Sequence, residues 1–190
     1  MPKGTRRHLL LTCLVAVWTV LACSPCGWLT GSGITLPDRP VAITEEAAQR
    51  FEDKLQGAWE GLGENQFRLQ FTDEEVTSYI NVKLQAASAL PVAGPRIWLT
   101  RGKIYVSGML DTGDLPLRGQ AVIVASAHVV DEKVLISIEQ ARVGQVPIPN
   151  MLLSSLEDTV NTALSQAQFD VKIVHLEVLE GEAILVAAPR

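Results

Sequence analysis

Three bases, Lys3, Arg6 and Arg7, precede an almost uninterrupted apolar run from Leu9 to Leu29. The run is about 21 residues, enough to cross a bilayer core of roughly 30 Å. Beyond it the apolar positions become periodic. Ala48, Phe51, Leu55, Ala58, Trp59 and Leu62 recur on one helical stripe, with Thr44 placed to cap it and Gly61 and Gly63 to end it. Gln66 to Phe71 alternates as a half-buried strand. Thr72 and Glu75 stand at capping-box spacing and open a second helix bearing Val76, Tyr79, Ile80 and Leu84, which Pro91 to Pro95 breaks.

Four strands are predicted next: Arg96 to Thr100, Lys103 to Leu110, Leu117 to Val130 and Lys133 to Arg142. Turns at Arg101-Gly102 and Asp131-Glu132 join them pairwise. The third strand is long enough to require strong twist or a bulge, with Gly119 as the expected place. Val146-Pro147-Ile148-Pro149 closes the meander, and Asn150 is placed to cap a helix. That helix carries Leu152, Leu153, Leu156, Val160, Ala163, Leu164 and Ala167 on one face, with Ser154, Glu157, Asp158, Asn161 and Ser165 opposite. Two strands, Asp170 to Leu179 and Glu182 to Ala188, finish the chain around Glu180-Gly181. Hairpins between helices predict an α+β fold, a strongly twisted antiparallel sheet packed on amphipathic helices. The expected organisation is a signal-anchor or lipoprotein signal segment over 1–29, a Gly/Pro-containing linker over 30–43, and one domain over 44–190.

Bases before the apolar run and none close behind it predict a cytoplasmic N-terminus and a body on the extracytoplasmic side of the cell membrane. The run stays as a transmembrane anchor, or is cut before Cys23 with lipidation of that cysteine, or is cut to release the body. Val20-Leu21-Ala22-Cys23 loosely resembles a lipobox, which motivates the second fate. Cys13, Cys23 and Cys26 are the only cysteines, so the body has no disulfide and no thiolate metal site.

The formal charge is −5, and the bases at the start leave −8 on the remainder. A body this acidic argues against nucleic acid as a partner. His128 and His175 stand alone in strands, and Asp111, Asp114, Asp131 and Glu132 fall at turns. No nucleophile elbow, zinc-binding helix motif or phosphate loop is present. Arg96, Arg101 and Lys103 flank one turn as a small basic group. Val122, Val124, Ser126 and His128 alternate with Ile123, Ala125, Ala127 and Val129, so neither strand face is clearly polar and both need cover.

The tethered start, the phrase Phe71-Thr72-Asp73-Glu74-Glu75-Val76-Thr77-Ser78-Tyr79-Ile80, the twisted hairpins and Gly144-Gln145-Val146-Pro147-Ile148-Pro149 before an amphipathic helix resemble small bacterial envelope proteins of the YpmS-like and LmeA-like kind. The latter belong with the tubular lipid-binding (TULIP-like) superfamily. The resemblance implies non-enzymatic binding of a phospholipid or other acyl chain, with apolar lining residues and no cofactor. The expected lining is Leu152, Leu156, Val160 and Leu164 from the helix, with Val122, Val124, Ile136 and Ile138 from the sheet. The alternative is a structural domain of the cell envelope with a filled core and a protein partner. An extracytoplasmic enzyme is a third reading, with no motif behind it.

Overall fold

A computed structural model of the chain describes residues 33–61, 66–87, 92–111, 118–167 and 171–190. The segment 1–29 with Cys23, residues 30–32, and Gly63, Pro91, Asp114, Leu117 and Asp170 lie outside the described residues. Among the described residues no helix is long and apolar enough to cross a membrane.

Ile34–Arg190 forms one compact α+β unit. In chain order its elements are α1 (Glu45–Glu60), β1 (Phe67–Thr72), α2 (Asp73–Ala87), β2 (Val92–Thr100), β3 (Lys103–Asp111), β4 (Arg118–Val130), β5 (Lys133–Val143), β6 (Val146–Pro147), α3 (Asn150–Ala167), β7 (Val171–Val178) and β8 (Glu182–Pro189). The helix starts follow local rules. Thr44 Oγ1 accepts from the Ala47 amide at 3.1 Å. Thr72 Oγ1 accepts from the Glu75 amide at 3.3 Å while the Thr72 amide donates to Glu75 Oε2 at 3.1 Å, a reciprocal capping box.

The single expected sheet is two antiparallel sheets, ordered β1-β8-β7 and β2-β3-β4-β5-β6. The division is set by a long-range pairing, Phe67–Thr72 against Glu182–Ala187, which local alternation does not encode. The hairpin turns form as expected: Arg101 and Gly102, and likewise Asp131 and Glu132, adopt positive φ, matching the twist of the strands they join. The bulges differ from expectation. The β3–β4 register is continuous through Gly119, and the long hairpin instead shifts register between Val124 and Ala125, leaving Glu139 as the extra residue. β2 begins at Val92 and absorbs Gly94 and Pro95 as a bulge, where the sequence suggested only a break.

The two sheets are joined through their turns. The Gly102 amide donates to the Val178 carbonyl and the Gly181 amide to the Leu99 carbonyl, each at 2.8 Å. At the other end of β7 the Ile173 amide donates to the Glu132 carbonyl at 2.8 Å. One apolar cluster (Ile97, Leu99, Val178, Ala183) forms beside the first junction. A second (Val171, Ile173, Ala187, against Val129 and Val134) forms beside the other.

α2 closes the free edge of β2 with three buried polar side chains spaced four residues apart. Asp73 Oδ1 accepts from the Leu99 amide at 2.7 Å. Thr77 Oγ1 accepts from the Ile97 amide at 2.9 Å and donates to the Ile97 carbonyl. Asn81 Nδ2 donates to the Pro95 carbonyl at 2.7 Å. An edge strand otherwise presents unpaired backbone groups, and burying those without partners is costly.

The segment expected to be a free linker belongs to the fold from Ile34 onward. Arg142 Nη2 donates to the Ile34 carbonyl, Trp98 Nε1 donates to the Arg39 carbonyl, and the Arg39 guanidinium donates to Asp73 and the Leu99 carbonyl. Trp98 and Arg142 share, through cross-strand register, the sheet face of Val122 and Val124. The segment thus straps the outer face of the sheet. Two of the three bases around the β2–β3 turn face acids, Arg101 with Glu180 and Lys103 with Glu139.

Two expectations follow. Thr77→Val preserves shape but strands both backbone groups of Ile97, and should destabilise by about 3 kcal/mol in urea unfolding. The Lys103 ammonium, hydrogen-bonded to Glu139, holds that carboxyl below its ordinary value of 4.5. A carboxyl depressed in the native state stabilises above its unfolded value and loses that contribution as pH falls through the native one. Stability should therefore be steady from neutral pH to about 5 and decline below, with Glu139→Gln flattening part of the decline in melts across pH.

Candidate functional site

Between the two junctions the sheets do not meet. They enclose a half-open cavity of about 520 Å³. Its floor is Ile97 and Leu99 of β2, Ile104 and Val106 of β3, Ile123, Ala125 and Ala127 of β4, and Val134, Ile136 and Ile138 of β5. Opposite lie Phe71 of β1, Leu176 and Val178 of β7, and Ala183 and Leu185 of β8. Val76 and Ile80 of α2 and Leu156, Val160 and Leu164 of α3 complete the wall. Every lining residue is apolar. The volume lies within the ordinary range of small-molecule sites, yet among the described residues no polar side chain that could orient a ligand lines the wall.

The bulges keep this surface apolar along strands that would otherwise alternate out of phase. In β5 the inward residues are Val134, Ile136 and Ile138, and after the extra residue Glu139 the register partner of Ile123 is Ala141. In β7 the register shifts between Ile173 and His175, so that Ile173 and then Leu176 and Val178 all face inward. The intervening Val174 is exposed.

Five of the eight sequence-expected lining residues surround the cavity: Leu156, Val160, Leu164, Ile136 and Ile138. The other three do not. Val122 and Val124 are buried on the opposite face of β4, Val122 to 1% exposure, on the side strapped by the Ile34–Arg39 segment. The alternate set Ile123, Ala125 and Ala127 faces inward instead. Because both sets are apolar, the sequence pattern did not select a face. Leu152 lies beyond the rim and is 55% exposed, being one turn too early on α3.

α3 is attached to the sheet by polar contacts that sequence reasoning assigned to its solvent face. Asn161 Oδ1 accepts from the Ile136 amide and Asn161 Nδ2 donates to the Ile136 carbonyl, both at 2.8 Å. Glu157 Oε2 accepts from the Ile138 amide at 2.7 Å. β6 pairs only with Arg142 and Val143, so the rest of the β5 edge needs other partners, and these side chains supply them. Asn serves because its amide carries both a donor and an acceptor. The signal was available: Glu157 and Asn161 continue the stripe of buried Leu153 at four-residue spacing.

Among the described residues the titratable groups do not converge on the cavity. His128 Nε2 lies 3.1 Å from Ser126 Oγ, and His175 lies 3.7 Å from Glu177 on the surface. Among the described residues no group of acidic, histidine or cysteine side chains could hold a metal ion.

Asn161→Ala should cost about 1–3 kcal/mol in urea unfolding by leaving Ile136 without its partner. Asn161→Asp keeps the acceptor and loses the donor. Amide exchange at Ile136 should therefore accelerate less in Asn161→Asp than in Asn161→Ala.

No protein-family model and no curated protein matches the chain.

Proposed function

We propose that the domain binds an acyl chain or another apolar ligand in the cavity between the two sheets and α3, without catalysing a reaction. The observation that carries this reading is a cavity of about 520 Å³ with an exclusively apolar wall. Because the cavity is half-open, its apolar wall faces solvent until an apolar occupant covers it, and covering it is worth roughly 25 cal/mol per Å² of apolar surface removed from water. The occupant adds roughly 0.8 kcal/mol for each of its own methylenes removed from water.

The apolar run Leu9–Leu29 supports the remainder of the reading: a domain held at the extracytoplasmic face of a cell membrane, where acyl chains are abundant. The resemblance to YpmS-like and LmeA-like envelope proteins, and through the latter to TULIP-like folds, is a further reason to read the cavity as an acyl site.

Native mass spectrometry of the full chain ejected from lipid nanodiscs tests this. A bound mass that dissociates on activation and fragments as a lipid is expected. Ala127→Phe, which projects a ring into the cavity, should reduce the bound fraction at least tenfold while leaving the melting temperature unchanged or higher. An apo mass after incubation with envelope lipids, or full retention of the adduct by Ala127→Phe, would count against the proposal and favour a filled-core interaction domain.

A further inference from the structure

The segment from β6 into the first turn of α3 carries the three most exposed large apolar side chains among the described residues. Met151 is 82% exposed, Val146 57% and Leu152 55%. We propose that this tip docks on the surface of a lipid bilayer and is the portal through which acyl chains reach the cavity. The inference rests on the apolar-ligand reading of that cavity and deepens it by naming the route and the surface.

Three independent features point to a bilayer. The first is continuity. Leu152, Leu156, Val160 and Leu164 lie four residues apart along one stripe of α3. Leu152 is outside the cavity, Leu156 is both exposed and part of the wall, and Val160 and Leu164 are inside. An acyl chain can move along this stripe without leaving apolar contact.

The second is charge. The body is acidic, yet from Ala141 to Leu156 the chain contains no acid and one base, Arg142. The tip itself therefore carries no carboxylate for anionic head groups to repel.

The third is the course of the chain. The folded unit starts at Ile34, whose carbonyl is held by Arg142 Nη2 at 3.1 Å, and Arg142 is the register partner of Pro147. The fold thus begins beside the tip. The β4–β5 turn lies some nine residues along β4 from this point, roughly 30 Å away. The apolar run ends at Leu29, and a fully extended chain from there to Ile34 reaches at most about 18 Å. That run is therefore joined to the folded unit at its tip end, with only residues 30–33 between them.

The test uses the full chain reconstituted in vesicles of equal parts phosphatidylethanolamine and phosphatidylglycerol. The vesicles also carry a pyrene-acyl phospholipid and a head-group-quencher lipid. Withdrawal of the pyrene chain into the protein relieves quenching, so the amplitude reports cavity capacity and the rate reports passage. The variant M151D/L152D should reach the wild-type amplitude at least tenfold more slowly. The control S154D/S155D adds the same charge at exposed positions one turn on and should follow wild type. Equal rates for M151D/L152D and wild type would overturn the portal and leave the tip as a surface for a protein partner. Equal slowing by S154D/S155D would overturn it by making charge, not apolar contact, the cause. Loss of amplitude in M151D/L152D alone would overturn it by making the tip part of the binding site itself. No amplitude in wild type would overturn the cavity reading on which the portal depends.

Discussion

Both edges of the five-stranded sheet are closed by helix side chains, and the rest of the architecture depends on it. α2 presents Asp73, Thr77 and Asn81 to β2; α3 presents Glu157 and Asn161 to β5. In each case a four-residue helical spacing meets backbone groups two residues apart along the strand. Four helical residues rise about 6 Å and two strand residues about 6.6 Å, close enough for flexible side chains to bridge. The helices therefore flank the sheet instead of covering its middle, and their inward stripes become two walls of the cavity.

The second sheet lies over the first as a bridge pinned at its ends. β7 is hydrogen-bonded near one end to the β4–β5 turn and at the other to the β2–β3 turn. Apolar clusters form at these junctions, where the sheets approach, and the space between them stays unfilled. Glu132 adopts a positive φ that a glutamate rarely takes, and its carbonyl is the group that receives the Ile173 amide. Backbone conformation at this turn is thus part of what holds the sheets together.

Features fixed by neighbours in sequence were legible before the structure. The Thr44 cap, the Thr72–Glu75 box, the positive-φ turns and the helical and strand stretches all follow from spacing within a few residues. Features fixed by distant partners were not. Pairing of Phe67–Thr72 with Glu182–Ala187 separates one sheet into two, and no alternation within either strand announces it. The inward face of β4 was ambiguous because Val122 and Ile123 are equally apolar; the strap that covers Val122 comes from a segment whose composition reads as a spacer. Glu157 and Asn161 were misread because a polar residue on a helix ordinarily faces water, and only an open strand edge reverses that preference.

The attachment of α3 has a thermodynamic consequence. Helix and sheet share no ladder here: the groups joining α3 to β5 are side-chain amide and carboxylate oxygens and nitrogens, which water can replace one for one. Lifting the helix would leave the ladder between β4 and β5 unbroken. Displacing α3 would therefore cost these hydrogen bonds and the burial of Leu153, but no strand pairing.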